Sequence, residues 1–361
     1  MGKASNKDSP TVVGRTKTVI VHDKGDNPVG IISEIVTRLS SKDGGDRLVF
    51  RGPVYFDDRG LRHLHSIIIP LVDRIMESLN APYKNHEISV VNLGATASAG
   101  KGIEISGFSA DLPVLLALLS SSLRVGLRQD IVSTGHVASL DGDIAPVRGI
   151  STKIEATLAS PDITSFVLPD LEKDRSLKVM TPVEYETAKE SLFRHKGEIR
   201  IQSISGINDA VSAFMTDESI VLGSLRTGFF DSNSTFMQSK GPAGRTVALL
   251  AEGNENRFWD VLERYLLNRG IEKARLLLQT YVDYHMGKQR YPENFGEQLY
   301  RLVISLPPSI RKLNDLFPLL PMDSCINLSQ HAKKPDMDDV WQLQKAAFGE
   351  GLSRLPYPVD K

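Results

Sequence analysis

The sequence predicts a mixed α/β or α+β domain that is followed by a mostly helical C-terminal region. Up to about residue 216, segments rich in β-branched residues alternate with segments of helical periodicity. The stretch 227–245 is then rich in Ser, Gly, Thr and Asn, as linkers are. Beyond it, apolar residues recur at amphipathic helical spacing. The predicted organisation is a disordered N-terminus at 1–14, an α/β domain at 15–220, a linker at 221–250 and a helical region at 251–361.

The strands are predicted from short apolar runs that end at turn residues. Gly52-Pro53 ends one such run, and Pro169 stops another. Asp141-Gly142, which lies between two runs, is the strongest short signal for a tight hairpin. The predicted strands are Arg15–His22, Arg47–Phe50, Glu87–Leu93, Asp130–Ser139, Ile144–Val147, Ser165–Leu168 and Glu198–Ser205.

The helices are predicted from apolar residues spaced three and four apart. Pro70 predicts a kink in the first helix, whereas Pro113 is tolerated because it falls in a first turn. Ser151 or Thr152 is the predicted cap of the helix that runs through Lys153. The predicted helices are Gly60–Asn80, Asp111–Val125, the helix from its cap to Leu158, Val183–Phe193, Ile207–Met215, one on each side of Gly270, and two around Leu299–Leu306 and Val340–Leu355.

Composition limits the classes of protein to consider. The 361 residues are 41% hydrophobic and 24% charged, and 43 basic residues nearly balance 44 acidic ones. This near-neutral charge makes a nucleic-acid or membrane partner unexpected. The one cysteine, Cys325, excludes an intramolecular disulfide and a zinc site built on several thiolates. Met1–Pro10 lacks the apolar core of a secretory signal, and Leu112–Leu119 is too short to span a bilayer. We therefore expect a soluble cytoplasmic protein.

The pairing of Ser109 with Lys153 carries the predicted chemistry. Ser109 precedes a strongly apolar helix, and Lys153 falls in the first turn of another. A serine hydroxyl is a poor nucleophile at neutral pH, and a desolvated lysine is one of the few bases that can activate it without histidine. Taken singly, a serine before a helix is usually an N-cap, and a first-turn lysine usually points to water.

The surroundings of Lys153 are suited to lowering its pKa. As a base, it must lose roughly three pKa units, about 4 kcal/mol. Val147, Ile150 and Ile154 provide apolar surroundings, and the N-terminal end of a helix disfavours a positive charge. Thr134 is the expected hydrogen-bond partner that orients the amine.

Several separated elements match one family in order and spacing. They are Gly94-Ala95-Thr96, Gly107-Phe108-Ser109-Ala110, Thr134-Gly135, Gly142, Pro146, Gly149, Lys153 and Phe166-Val167-Leu168-Pro169. This pattern resembles the proteolytic domain of Lon proteases. The resemblance covers about 15–216 and is most specific between 94 and 169.

The resemblance implies a Lon-type fold and an endopeptidase in which Ser109 is the nucleophile, Lys153 the base and Thr134 a supporting residue. It implies no metal or organic cofactor, a protein or peptide substrate, and a ring-shaped homo-oligomer. No ATPase module accompanies the domain in this sequence, so a separate ATPase or a recruiting partner is expected to deliver flexible substrates.

Some residues depart from the family pattern and keep alternatives open. Ser106, Phe108, Asp111 and His136 replace the usual acid, proline, glycine and glutamate. Three of them, Phe108, Asp111 and His136, favour a non-catalytic binding or scaffold module, since one fold serves several functions. Retention of the Ser-Lys pair argues against that module. An interaction subunit for nucleic acid or a defence complex is a third class, which the near-neutral charge disfavours.

Other motifs carry weaker signals. Gly94–Gly102 departs in spacing from a phosphate-binding loop and is better interpreted as a mobile loop over the substrate groove. His63 and His65 lie two apart on a helix and face different ways, so a shared metal is not expected. The other histidines show no ligand spacing, and His136 is expected on an exposed strand. The C-terminal helices are expected to recruit a substrate, partner or subunit.

Overall fold

The computed structural model describes residues 10–22, 28–40, 47–52, 54–81, 84–91, 103–172, 178–179, 181–231 and 241–288, together with residues 298, 302 and 305. Residues 1–9, the loop 94–102 and the helix predicted around Val340–Leu355 lie outside the described residues. The helix predicted around Leu299–Leu306 is described only at Leu302 and Ser305, which are both helical.

The chain divides into two units, residues 1–252 and 253–361. The first unit is a mixed α/β structure. Its strands are β1 (Thr11–Val13), β2 (Arg15–His22), β3 (Val29–Leu39), β4 (Leu48–Arg51), β5 (Val54–Phe56), β6 (His86–Val91), β7 (Ile103–Ile105), β8 (Gly126–Arg128), β9 (Ile131–Ser133), β10 (His136–Val137), β11 (Ile144–Ala145), β12 (Ser165–Pro169) and β13 (Arg200–Ile204). Its helices are α1 (Asp58–His63), α2 (Ile69–Ser78), α3 (Asp111–Leu123), α4 (Ile150–Leu158), α5 (Pro182–Arg194), α6 (Ile207–Phe214), α7 (Asp217–Thr227) and α8 (Pro242–Leu250).

Within the described residues, seven strands form one mixed sheet in the order β13-β12-β9-β2-β3-β6-β4. The strands β13, β12, β9 and β2 run parallel, β3 is antiparallel to both of its neighbours, and β4 is parallel to β6. The predicted hairpin at Asp141-Gly142 is present, because β10 and β11 pair in antiparallel fashion around it.

Two helices cover opposite faces of the central strands. The Thr16 hydroxyl on β2 donates to the Pro113 carbonyl of α3. Val19, three residues further along the strand, packs in the core with Ile154 of α4. Because alternate residues of a strand point to opposite faces, α3 and α4 lie on the two sides of the sheet. Gly30 on β3 permits this packing, since a Cβ there would lie 2.8 Å from the Cβ of Ala156.

The structure changes the predicted domain boundaries. Residues 11–13, predicted as disordered, form β1, which pairs with β8. The predicted linker 221–250 contains most of α7 and all of α8, and the first unit continues to residue 252. The polar segment between these helices resembles a linker in composition, but the helices themselves bury apolar residues such as Val221 and Val247.

The start of the Lys153 helix also differs from expectation. Gly149, with φ of 72°, is the N-cap of α4 in place of Ser151 or Thr152. The helix around Pro70 continues from α1 to α2 through a π-helical turn, Leu64–Ile68. Such turns relax the helical hydrogen bonding and are frequent at functional sites.

The second unit is helical where it is described, in agreement with the prediction. It contains α9 (Glu255–Leu267) and α10 (Ile271–Gly287), on either side of Gly270. Phe258 of α9 stacks on Tyr281 of α10, with ring centroids 4.1 Å apart. Among the described residues, no helix has both the length and the apolar character that crossing a membrane requires.

Candidate functional site

The site forms where β9 ends and the N-terminal ends of α3 and α4 approach from opposite faces of the sheet. Thr134 directly follows β9, at the carboxyl edge that β9 shares with the parallel strands β12 and β13. Its amide donates to the Val167 carbonyl on β12, 3.1 Å away. Ligand sites of open α/β sheets commonly occur at such an edge.

Backbone hydrogen bonds fix Ser109 beside this strand end. The Gly135 amide donates to the Ser109 carbonyl at 3.2 Å, and the Leu112 amide donates to the Gly135 carbonyl at 3.2 Å. Gly107, with φ of 81°, makes the turn that leads into Ser109, a conformation that favours glycine. The segment 109–112 is therefore held alongside Thr134-Gly135.

Ser109 is not the N-cap of α3. The N-cap is Ala110, and the helix start has no side-chain capping hydrogen bond. Ser109 is partly exposed, whereas the residues of α3 are almost all buried. The simplest structural interpretation of this serine, that its hydroxyl caps the helix, is therefore not met.

Lys153 is a buried lysine. Its residue surface is 2% exposed, and its amine donates to the Thr134 hydroxyl at 2.8 Å. Burial lowers the pKa of Lys153 to about 7, although the negative charge of Glu184 acts in the opposite direction. Glu184 itself accepts a hydrogen bond from the Gly149 amide. Within the described part of the chain, Lys153 makes no ion pair, and the effect of burial on its pKa exceeds that of the Glu184 charge.

Thr134 connects the two predicted catalytic residues. Its hydroxyl accepts from the Lys153 amine and donates to the Ser109 carbonyl at 3.1 Å. The predicted hydrogen bond between Thr134 and Lys153 is thus present. Among the described residues, the Ser109 hydroxyl and the Lys153 amine are not directly hydrogen bonded. Catalytic hydrogen bonds often tighten only when substrate binds.

A second polar cluster lies beside Ser109, and sequence patterns did not predict it. Asp111, the first residue of α3, is buried, and its Oδ2 lies 3.1 Å from His63 Nε2 and 2.7 Å from His136 Nδ1. His63 Nε2 also lies 3.0 Å from the Val137 carbonyl. The Phe108 ring stacks on His136, at a centroid distance of 4.6 Å, and also contacts His63.

The cluster corrects two expectations about histidines. His136 is half-buried and bonded to Asp111, whereas we expected an exposed strand histidine. His63 and His65 do face different ways, but His63 meets histidine and aspartate from other elements. Spacing along one helix could not reveal this, because the three residues come from α1, α3 and β10. The only signal in the sequence was the joint departure of Phe108, Asp111 and His136 from the Lon pattern.

The pKa of His63 is also shifted. Burial alone lowers it, but the hydrogen bond with Asp111, the charge of that carboxylate and the Val137 carbonyl together raise the pKa of His63 above its ordinary value. The surroundings of Asp111 therefore favour a cation, unlike those of Lys153.

No protein-family model matches the chain, and no match was found among curated proteins. The site geometry is the basis for the functional assignment that follows.

Proposed function

We propose that the protein is a serine endopeptidase that uses a Ser-Lys dyad on a Lon-type proteolytic domain. The observation that carries the proposal is the buried amine of Lys153, which donates to Thr134 and whose pKa is lowered to about 7. Few structural roles explain a buried lysine without an ion pair, because burying an amine costs several kcal/mol. A general base at neutral pH requires such a pKa.

The proposed reaction has two stages. The Ser109 hydroxyl oxygen bonds to the carbonyl carbon of the substrate while its proton moves to the Lys153 amine. The carbon–nitrogen bond then breaks, and Lys153 returns the proton to the leaving amine. In the second stage, Lys153 accepts a proton from water as the hydroxide bonds to the acyl carbon. The bond between that carbon and the Ser109 oxygen then breaks, and Lys153 returns the proton to Ser109.

The remaining residues of the site position these groups. Thr134 holds the amine, and its contact with the Ser109 carbonyl fixes the relative positions of β9 and the serine segment. The amides of Ser109 and Ala110, at the N-terminal end of α3, would stabilise the oxyanion of the tetrahedral intermediate. No metal or organic cofactor takes part in this mechanism.

The proposed substrates are flexible segments or partner-delivered proteins, because unfolding a folded substrate requires work that this domain does not perform. By resemblance to Lon, we propose a ring-shaped homo-oligomer and a separate ATPase or recruiting partner. The second unit would supply that recruitment. A reducing cytoplasm is the proposed location, consistent with the single cysteine.

Covalent labelling tests the proposal. A broad serine-reactive probe is expected to label wild type at Ser109, and Ser109→Ala and Lys153→Met are expected to abolish labelling. Thr227→Ala is a matched control on the same unit, because among the described residues this hydroxyl bonds only to backbone carbonyls of its own helix. Labelling that survives Ser109→Ala would remove Ser109 as the nucleophile.

A non-catalytic scaffold module is the second candidate. The observation that favours it is that Phe108, Asp111 and His136 contact one another beside Ser109, at positions where the Lon pattern has other residues. An absence of labelling in folded wild-type protein, in both the presence and the absence of candidate partners, would support that alternative.

A further inference from the structure

The cluster of His63, Asp111 and His136 has the composition of a metal site. It offers two imidazole nitrogens and one carboxylate oxygen, and these three atoms all lie within 4.8 Å of one another. Two imidazoles with one carboxylate are a common ligand set for Zn²⁺ and related divalent transition metals. The set leaves a coordination position for water or a further ligand.

The distances agree with this chemistry. Ligand atoms at about 2.0–2.1 Å from a tetrahedral ion lie about 3.3 Å from each other. In the structure, Asp111 Oδ2 lies 3.1 Å from His63 Nε2 and 2.7 Å from His136 Nδ1. Small side-chain movements would therefore bring these atoms to coordination distance. Binding would replace the contact of His63 Nε2 with the Val137 carbonyl.

The surroundings hold the ligands and leave an entry path. The side chain of Asp111 is 3% exposed, whereas that of His136 is 24% exposed, so solvent reaches the cluster from the His136 side. Phe108 packs against both imidazoles, and the Arg59 guanidinium covers its ring at 4.9 Å. A metal ligand whose ring is fixed by packing loses little entropy when it binds the ion.

We propose that His63, Asp111 and His136 bind one divalent transition-metal ion, of which Zn²⁺ fits best, at the N-terminal end of α3. The ion would tie α1 and β10 to the segment that carries Ser109. The site lies beside the serine and is separate from the Ser-Lys chemistry. It does not depend on the proposed peptidase activity.

Direct metal binding tests the inference. The full chain, purified without a histidine tag, is stripped with a chelator and titrated calorimetrically with Zn²⁺. Co²⁺ is used in parallel, because its visible absorption reports the coordination geometry. A Cys325→Ser background removes the only thiol. We expect one ion per chain, and a loss of affinity of at least about 100-fold in both His136→Gln and Asp111→Asn, since even outer-shell changes cost 10- to 100-fold.

Two controls separate this site from other binding. His195→Gln removes a histidine that lies 3.1 Å from the Glu198 carboxylate on the surface, and it should leave binding unchanged. Ser109→Ala should also bind the ion normally, so failure of the peptidase proposal would not affect this result. Circular dichroism of the metal-free variants establishes that they are folded; His136 is half-buried, so its variant is expected to fold even if Asp111→Asn does not.

Either of two results would overturn the inference. One is the absence of stoichiometric binding by wild type at micromolar Zn²⁺. The other is binding that persists at full affinity in folded His136→Gln. In both cases the cluster is a hydrogen-bonded group of side chains that needs no metal.

Discussion

Lys153 and Asp111 are buried ionisable groups that each lie in the first turn of a helix, α4 and α3 respectively, but their surroundings are opposite in character. Among the described residues, Lys153 has only the Thr134 hydroxyl as a side-chain partner, and burial lowers its pKa to about 7. Asp111 has two imidazoles within 3.1 Å, and it helps to raise the pKa of His63. The difference shows that neighbouring groups, as well as burial, decide whether a buried site holds a charge.

Replacing Lys153 is expected to give the largest effect. Lys153→Met and Lys153→Arg should both lower peptidase activity by at least about 1,000-fold, because neither side chain is a base at neutral pH. The two substitutions should change the stability of the protein in opposite directions. The methionine avoids burying an amine and should be more stable than wild type by about 2–4 kcal/mol at pH 7, whereas the arginine remains charged and should be less stable.

The pH dependence of that stability difference is a sharper test. The pKa of Lys153 is about 7 when folded and about 10.4 when unfolded, so the unfolded chain binds the extra proton between these values. The contribution of Lys153 to the free energy of unfolding of the wild type therefore rises with pH across that window. Denaturant unfolding should show the advantage of Lys153→Met largest at pH 7 and below, shrinking as the pH rises towards about 10.4 and absent above that value. An advantage that does not change with pH would contradict the lowered pKa.

His86 extends the comparison to a buried histidine. Burial lowers the pKa of His86 to about 4, against a weaker opposing effect of the Lys84 backbone. The unfolded chain then binds an additional proton between pH 6.5 and 4. The contribution of neutral His86 to folding stability is therefore present above pH 6.5 and is lost as the pH falls. It amounts to about 3 kcal/mol at most. Denaturant unfolding of His86→Leu should show a weaker pH dependence in this window, and an unchanged dependence would refute the shift.

Thr134 tests whether the amine needs its single hydroxyl partner. Thr134→Val keeps the shape but leaves the buried amine without its acceptor, so activity should fall by about 10- to 100-fold. Thr134→Ser retains the hydroxyl and is the matched control. The measurement is kcat/KM on an unstructured peptide. Equal losses in the two variants would show that packing, and not the hydrogen bond, accounts for the role of Thr134.

Local sequence patterns predicted much of the fold near the site. The apolar helix after Ser109, the hairpin at Asp141-Gly142 and the buried strand before Pro169 each follow from short-range periodicity and turn chemistry. The strand β3 was not predicted, although it pairs along the whole of β2. Its buried positions include the polar residues Ser33 and Thr37, which interrupt the apolar alternation that marks a strand. These residues are polar although they face the sheet–helix interface, where Thr37 bonds to α3.

The candidate site was predictable only in part, for a similar reason. Ser109, Thr134 and Lys153 were identified from residue types in a known order, and tertiary structure joins them through hydrogen bonds. The His63 cluster has no such order, since its members come from three elements that meet only after the chain has folded. Linear spacing reports sites within one helix or hairpin, and it does not report sites that depend on the packing of distant elements.

The charge state of Lys153 is the property on which the proposed chemistry depends, and NMR measures it directly. The ¹³Cε resonance of Lys153, assigned by its absence in Lys153→Met, should titrate with a midpoint near pH 7, while surface lysines titrate above pH 10. The pH dependence of kcat/KM should rise with the same midpoint. A Lys153 resonance that stays in its charged position up to pH 9 would contradict its assignment as the general base.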